Sequence, residues 1–272
     1  MAATKDLRSA LRVEPGSKVD IERLDAGDTL GWKRPDAEKR TEKNVGRLAD
    51  VQDRLWAEAR HKVLIVLQGI DASGKDGSIK KVMTAFNPQG CYVASFKVPT
   101  PEEAAHDFLW RIEKKVPGKG EIAIFNRSHY EEVLVVRVHE LVPKDVWQRR
   151  YRLIRHYEEM LVETGTTIIK LFLHIDRDEQ RERFQERYDN PRKRWKFSMG
   201  DLDERKHWDE YMRAYGDALE ETSTADSPWY VVPANRNWMR DLAISSIVAD
   251  TLDDLKPEYP APEDLPPKLV IE

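Results

Sequence analysis

The chain has 272 residues, with 45 Lys and Arg against 49 Asp and Glu, a formal charge of −4. That near balance excludes a whole-surface polycation and a polyacidic disordered chain, while 8 Trp, 9 Tyr and 7 Phe can fill a sizeable core. No apolar run approaches the roughly 18 residues of a membrane helix, the polar start predicts no secretory leader, and a lone Cys91 excludes an intrachain disulfide or Cys-rich metal site, so a cytoplasmic protein is expected.

Residues 1–40 carry Pro15, Gly16, Gly27, Gly31 and Pro35 with little periodicity and read as an irregular N-terminal arm. A helix is predicted from Thr41, because Val45, Leu48, Val51, Leu55, Trp56 and Ala59 recur at three- and four-residue steps. It runs into Lys62–Gln68, whose five consecutive aliphatics suit a strand buried on both faces. Four more strands are predicted at 91–96, 121–125, 167–175 and 229–232. Helices are predicted near 78–86, 101–115, 130–138, 144–163, 177–188, 202–222 and 237–255. Strands alternating with helices predict a three-layer α/β/α domain over 41–256 around a mostly parallel five-stranded sheet. The last sixteen residues, Pro257–Glu272, hold five prolines and read as an extended tail. Cys91, at a strand start, reads as a small buried residue.

Directly after the first strand stands Gly69-Ile-Asp71-Ala72-Ser73-Gly74-Lys75-Asp76-Gly77. It matches G-x-x-x-x-G-K, a loop whose backbone N–H groups surround phosphate oxygens while the lysine adds charge. Gly69, Ala72, Ser73, Gly74 and Gly77 would form the cradle, and the following helix would present its N-terminus to the same phosphate. Asp76 stands where this loop usually has Ser or Thr, and Asp71 adds a second carboxylate. Two anions beside a phosphate repel it unless a cation lies between, so Mg²⁺ is expected here, with Mn²⁺ as a substitute and Asp71 as the metal ligand. The competing explanation for Asp76 is a favourable charge in the first helical turn.

The strand at 121–125 ends in Asn126-Arg127-Ser128-His129-Tyr130-Glu131-Glu132. A neighbouring strand in phosphate-loop proteins often ends in a metal-holding acid. Here that place is Asn126, which can accept from a metal-bound water but brings no charge. Arg127 sits at the carboxyl edge of the sheet and could clamp a phosphoryl group, or pair with Glu131 or Glu132. His129 reads as a packing residue.

Residues 181–196 carry seven basic and three acidic side chains, a net +4 that leaves −8 on the rest of the chain. A basic lid is expected at about 181–200, where Arg183, Arg187, Arg192, Lys193 and Lys196 would close over phosphates and exclude water. A solvated basic face or a nucleic-acid patch is the alternative. A second cluster, Arg149, Arg150, Arg152, Arg155 and His156, could line an anion channel or pair with nearby acids.

These residues resemble the family-2 polyphosphate kinases. The likeness rests on the phosphate loop, on Phe125–Glu131, on His174–Gln180 with Arg183 and Arg187, on Trp195-Lys196 and on Pro233–Trp238. It implies a phosphate-loop kinase fold and reversible transfer of a terminal phosphoryl group between inorganic polyphosphate and a nucleotide with Mg²⁺. By position it implies Asp71, Lys75 and Arg127 as central catalytic residues, with Arg183, Arg187 and Lys196 in the lid. Asn126, where many members have Asp, together with Glu131 resembles the subgroup called class III, which accepts both AMP and ADP. The resemblance further implies a homo-oligomer, dimer or tetramer. Adenine nucleotides are the expected partners, with guanine nucleotides a further candidate. An ATP-using nucleoside monophosphate kinase of the same fold is the second reading, and a nucleic-acid-binding protein the third. The acidic remainder of the chain disfavours nucleic acid, and no membrane partner is expected.

Overall fold

The structure is a computed structural model and describes residues 6–262. Its centre is one five-stranded sheet, every neighbouring pair parallel, in the order β2-β3-β1-β4-β5. The strands are β1 (Lys62–Gln68), β2 (Cys91–Ser95), β3 (Ile122–Asn126), β4 (Thr166–His174) and β5 (Trp229–Pro233). β1 lies in the middle, and Val63 to Leu67 are fully buried, as a run without polar alternation requires.

The N-terminal segment is more ordered than its sequence suggests. A five-residue helix, α1 (Leu7–Leu11), is followed by a chain that buries Leu7, Leu11, Val13 and Ile21 in the main core. Arg12 forms an isolated antiparallel bridge with Tyr230 of β5. The next helix, α2 (Arg34–Glu58), starts at Arg34 rather than Thr41, with Pro35 in its first turn, where its missing N–H costs nothing. It leads into β1 through Ala59, which caps it in the left-handed conformation.

After β1 the chain enters α3 (Lys75–Val82), three residues earlier than expected, because Gly74 at φ +105° turns the backbone into the helix at once. The predicted 101–115 helix is two short ones, α4 (Pro101–Ala105), with a capping box on Thr100 and Glu103, and α5 (Trp110–Glu113). The 130–138 stretch is a 3₁₀ turn (His129–Val133) followed by α6 (Val135–Val138). Then come α7 (Lys144–Glu163), α8 (Arg177–Asp189), α9 (Met199–Glu204), α10 (Trp208–Thr222) and α11 (Asn237–Asp254). The helix expected over 202–222 is thus split at residues 205–207. Residues 257–262 have no regular structure, and the rest of the Pro-rich tail lies outside the described residues.

α11 packs on α2, α3 and α1, while α7 packs against β4 and α10. Cys91 stands half-buried at the start of β2, and burial pushes its thiol up to about 12. The carboxyl ends of β1, β3 and β4 meet at one edge of the sheet, where ligands of open parallel sheets bind.

Candidate active site

The loop after β1 closes tightly on itself. Gly69 adopts φ +148°, and a Cβ there would lie 2.7 Å from both the Leu173 carbonyl and Ser73 Oγ. Gly69→Ala should therefore force the loop away from β4. Its expected result is a loss of phosphoryl transfer on the order of 10²-fold for a shift of about 1 Å, with secondary structure retained in circular dichroism. Ala72, not a glycine, also sits at φ +67°, a strain of the order of 1–3 kcal/mol that clusters at functional sites. Ser73 is fully buried, and its hydroxyl has no hydrogen-bond partner among the described residues.

Lys75 lies at the first position of α3 and is 8% exposed. Its Nζ donates to the Gly69 carbonyl at 2.5 Å and the Ile70 carbonyl at 3.3 Å, so the ammonium spans the loop opening. Burial, reinforced by repulsion from Arg127, brings its pKa down to about 8, against the pull of Asp71 and Glu131.

Arg127 follows β3 directly at φ +65°. Its N–H donates to Leu67 O at 3.1 Å, which turns the chain over the end of β1. The guanidinium then reaches Asp71 Oδ1 at 2.6 Å and Glu131 Oε2 at 3.6 Å. Both carboxylates hold it charged in spite of burial. Burial pushes the Glu131 carboxyl up, and Arg127 opposes that shift. Asn126 donates to Asp76 Oδ1 at 2.9 Å. Burial works against ionisation of Asp76, but that bond and Lys196 hold its carboxyl below the usual range. The structure thus brings Asp71, Lys75, Asp76, Asn126, Arg127 and Glu131 to one sheet edge. His129 is fully buried against Glu158, at 3.2 Å, as a packing residue.

The basic segment divides. Lys196 Nζ stands 3.5 Å from Asp76 Oδ2, so the turn at 194–196 lies over the first turn of α3. Trp195 beside it is 78% exposed. Arg187 faces Asp201 at 3.9 Å, Lys193 pairs with Glu186 at 2.5 Å, and the side chain of Arg192 has no ion pair among the described residues. Arg183 is different, because its donors go to protein oxygens: Glu179, Ala72 O at 2.8 Å, Ala234 O at 2.6 Å and Asn235 O at 3.0 Å. In the second cluster Arg149, Arg150 and Arg155 are paired with Asp145, Glu132 and Glu221.

Several residues around the site are not among the site residues expected from sequence. Gln180 of α8 donates to Asp71 O at 3.0 Å and accepts from Arg205 at 2.9 Å. Tyr211 and Tyr215, on the inner face of α10, close a cavity of about 30 Å³ against Gly69, Asp71, Arg127, Glu131 and Glu204. That is room for about one water. Helical spacing marks both tyrosines as core. Only the fold shows that the core there borders the phosphate loop. A hollow of about 630 Å³, lined by Arg137, Leu141, Lys144, Trp147 and Arg213, lies apart from the loop. The converging charged groups, not the size of the hollow, locate the site.

A group of three or more His, Cys, Asp or Glu able to hold a metal does not occur among the described residues. Asp71 offers one carboxylate, with Oδ1 engaged by Arg127. Such a sparse set suits an ion that completes its shell with water and phosphate oxygens, as Mg²⁺ does, and does not suit an all-protein cage.

Comparison with known proteins identifies the family. The family described as polyphosphate kinase 2 matches residues 32–260. An AMP/ADP-polyphosphate phosphotransferase of Meiothermus ruber is 54% identical over 264 residues, covering 96% of this chain and 98% of that protein. An ADP-polyphosphate phosphotransferase of Rhodopseudomonas palustris is 47% identical over 262 residues, covering 92% and 91%. The crystal structure of polyphosphate kinase 2 from Arthrobacter aurescens TC1 superposes with a TM-score of 0.92 at 42% identity, covering 97% and 95%. The chain belongs to the polyphosphate kinase 2 family.

Proposed function

We propose that this protein transfers the terminal phosphoryl group of inorganic polyphosphate to AMP and ADP, and runs the reverse reaction when products accumulate. The carrying observation is the convergence of the buried Lys75 ammonium, the strained Arg127 and Asp71 at the end of β1. A relative named for AMP and ADP, 54% identical over nearly the full length of both chains, supports both acceptors.

Phosphoryl transfer needs little covalent help from a protein, since positioning and charge neutralisation do most of the work. The loop N–H groups from Gly69, Ala72, Ser73, Gly74, Asp76 and Gly77 and the Lys75 ammonium hold the transferring phosphate. That ammonium donates to Gly69 O and Ile70 O, at the mouth of the loop. An oxygen of the nucleotide's terminal phosphate attacks the end phosphorus in line, the anhydride P–O bond to the next phosphate breaks, and the polyphosphate shortened by one unit leaves with the bridging oxygen and its electron pair. The attacking oxygen needs no general base, because it is already ionised. Arg127 offsets charge on the equatorial oxygens, and Glu131 sets its direction. Asp71 would hold Mg²⁺, which would supply positive charge to offset the phosphate oxygens. Arg187, Arg192, Lys193 and Lys196 form the basic track of the lid. Arg183 serves the same site from behind by tying Ala72 to the turn after β5.

The test is a time course of nucleotide products from AMP, ADP, GMP and GDP with polyphosphate and Mg²⁺, run beside the same acceptors with ATP. ADP and ATP formed from polyphosphate support the reading, and product formed only with ATP would sink it.

Proton linkage gives an independent check. Because burial and the Arg127 charge depress Lys75 to about 8, a polyanion beside it must raise that value, and binding takes up protons near and above pH 8. The polyphosphate KM should therefore climb as pH rises beyond 8. Calorimetry at pH 8.5 in two buffers of different ionisation enthalpy should register uptake in the wild type and none in Lys75→Met.

A further inference from the structure

The segment after β5 contributes a group to the phosphate loop that the proposed chemistry leaves unused. Arg240, in the first turns of α11, is 4% exposed. Its Nε and Nη2 both donate to Asp241 Oδ1, at 3.0 and 2.7 Å, and Nη1 donates to Asn237 Oδ1 at 2.7 Å. The guanidinium is therefore fixed on its own helix. It lies directly against the loop. A Cβ on Gly74 would sit 2.2 Å from Nη1, and one on Gly77 3.2 Å from Nη2. An arginine tip ordinarily moves aside for such a contact, but this one is buried and tied at three nitrogens.

We propose that Arg240 is a positioning residue for phosphoryl transfer: a fixed guanidinium floor on which Gly74 and Gly77 of the phosphate loop rest. Three observations point the same way. The two glycines are the loop positions where a side chain would meet Arg240, so the loop's composition matches the floor as well as the phosphate. Asp241 neutralises the guanidinium locally, so Arg240 contributes shape rather than free charge. Arg183 reaches the same region from α8, joining Ala72 O to Ala234 O and Asn235 O. Two guanidiniums, one from the helix leading into the basic segment and one from α11, thereby hold residues 72–77 at a set height above the sheet. Without the floor the loop settles into the vacated space, and its N–H groups lose their aim at the phosphate. A displacement of about 1 Å is enough to cost on the order of 10²-fold in rate.

The inference rests on the polyphosphate reading and deepens it. Arg240→Ala should lower kcat and raise the polyphosphate KM, together reducing kcat/KM by roughly 10²-fold, with the AMP KM changed less than about twofold because the loop does not cradle the acceptor. Arg240→Lys keeps the stem and the charge but cannot bridge Asp241 and Asn237 with a planar fork, and should still lose at least about tenfold. Gly77→Ala should impair the wild type by pushing the guanidinium, and should cost nothing further in an Arg240→Ala background, a non-additivity that residues in contact show. A residue of purely structural value would lower the melting temperature and leave the kinetics of the folded fraction unchanged. That outcome, or independent effects of Gly77→Ala and Arg240→Ala, would overturn the inference. Transfer by the wild type is read in the same assay: its absence refutes the polyphosphate reading, whereas an active wild type with unaffected variants refutes the floor alone.

Discussion

Lys75→Met should lower kcat/KM for polyphosphate-dependent transfer by about 10³-fold or more while leaving the protein at least as stable as the wild type. The two halves of this result have one physical cause. The ammonium is 8% exposed and has only two carbonyls as partners. Burial and the Arg127 charge depress its pKa to about 8, against an attraction from Asp71 that does not fully compensate. A lysine lowered in the folded state is a charge that the fold carries at a cost, and methionine removes that cost without leaving a cavity. The same poor solvation makes the charge effective once a phosphate arrives, because water and counter-ions screen it little. Loss of one preorganised charge in such a site is worth about 10²–10³-fold, and more where the charge neutralises a transferring phosphoryl group. Thermal unfolding and steady-state kinetics on the same preparation check both halves. A folded variant within tenfold of wild-type activity would refute the role given to Lys75. Asp71→Ala should fall in the same range, through loss of the metal ligand and release of Arg127.

Much of this site was legible from sequence because its chemistry is compressed into short segments. The phosphate loop sits between a strand and a helix, and Asn126-Arg127 ends the neighbouring strand, so local pattern alone placed Asp71, Lys75 and Arg127 at one edge of a parallel sheet. What pattern did not show depends on long-range packing. Arg240 is 166 positions from Gly74, and nothing in the sequence of α11 distinguishes it from a surface arginine. Gln180 touches Asp71 O across the mouth of the site. Arg183 shares its basic neighbourhood with Arg187 and Lys193, yet its donors are turned inward by Ala72, Ala234 and Asn235. In the N-terminal segment, α1 is too short to show a helical period, and Leu7, Leu11, Val13 and Ile21 are buried by what they touch rather than by their spacing. The small net charge behaves likewise. A value of −4 conceals a basic segment of +4, and the structure sets Lys196 of that segment against Asp76 of the loop.

The largest stability effect is expected at the buried ion pair between β4 and α7. Lys170 of β4 and Glu158 of α7 are 0% and 1% exposed, with Nζ 2.6 Å from Oε2. Lys170 also donates to Thr222 O at 2.7 Å and to Tyr130 Oη at 3.1 Å. Glu158 accepts from Tyr130 Oη at 2.7 Å and Ser227 Oγ at 3.0 Å, and His129 Nε2 lies 3.2 Å away. This network fixes His129 and Tyr130, and with them the 3₁₀ turn that carries Glu131. Burial works against the charged Glu158, but Lys170 and His129 hold its carboxyl down to about 2. A carboxylate with a depressed pKa contributes stability that is present above its unfolded value of about 4.3 and is lost as pH falls toward 2. Lys170→Met strands the carboxylate and should cost about 3–5 kcal/mol at pH 7, or roughly 2–4 °C of melting temperature for each kcal/mol. The stranded Glu158 is then a buried acid whose pKa rises, so protonation relieves the variant while it harms the wild type. The deficit of Lys170→Met should therefore shrink between pH 7 and pH 4. Replacing both partners, Lys170→Met with Glu158→Leu, should recover part of the loss at pH 7, because no unpaired charge remains, although the Tyr130 and Ser227 hydroxyls and His129 lose their Glu158 partner and Thr222 O loses a donor. Denaturant titrations of the three proteins at both pH values decide it. An equal deficit at pH 7 and pH 4 would show that packing, and not the buried charge, sets the cost.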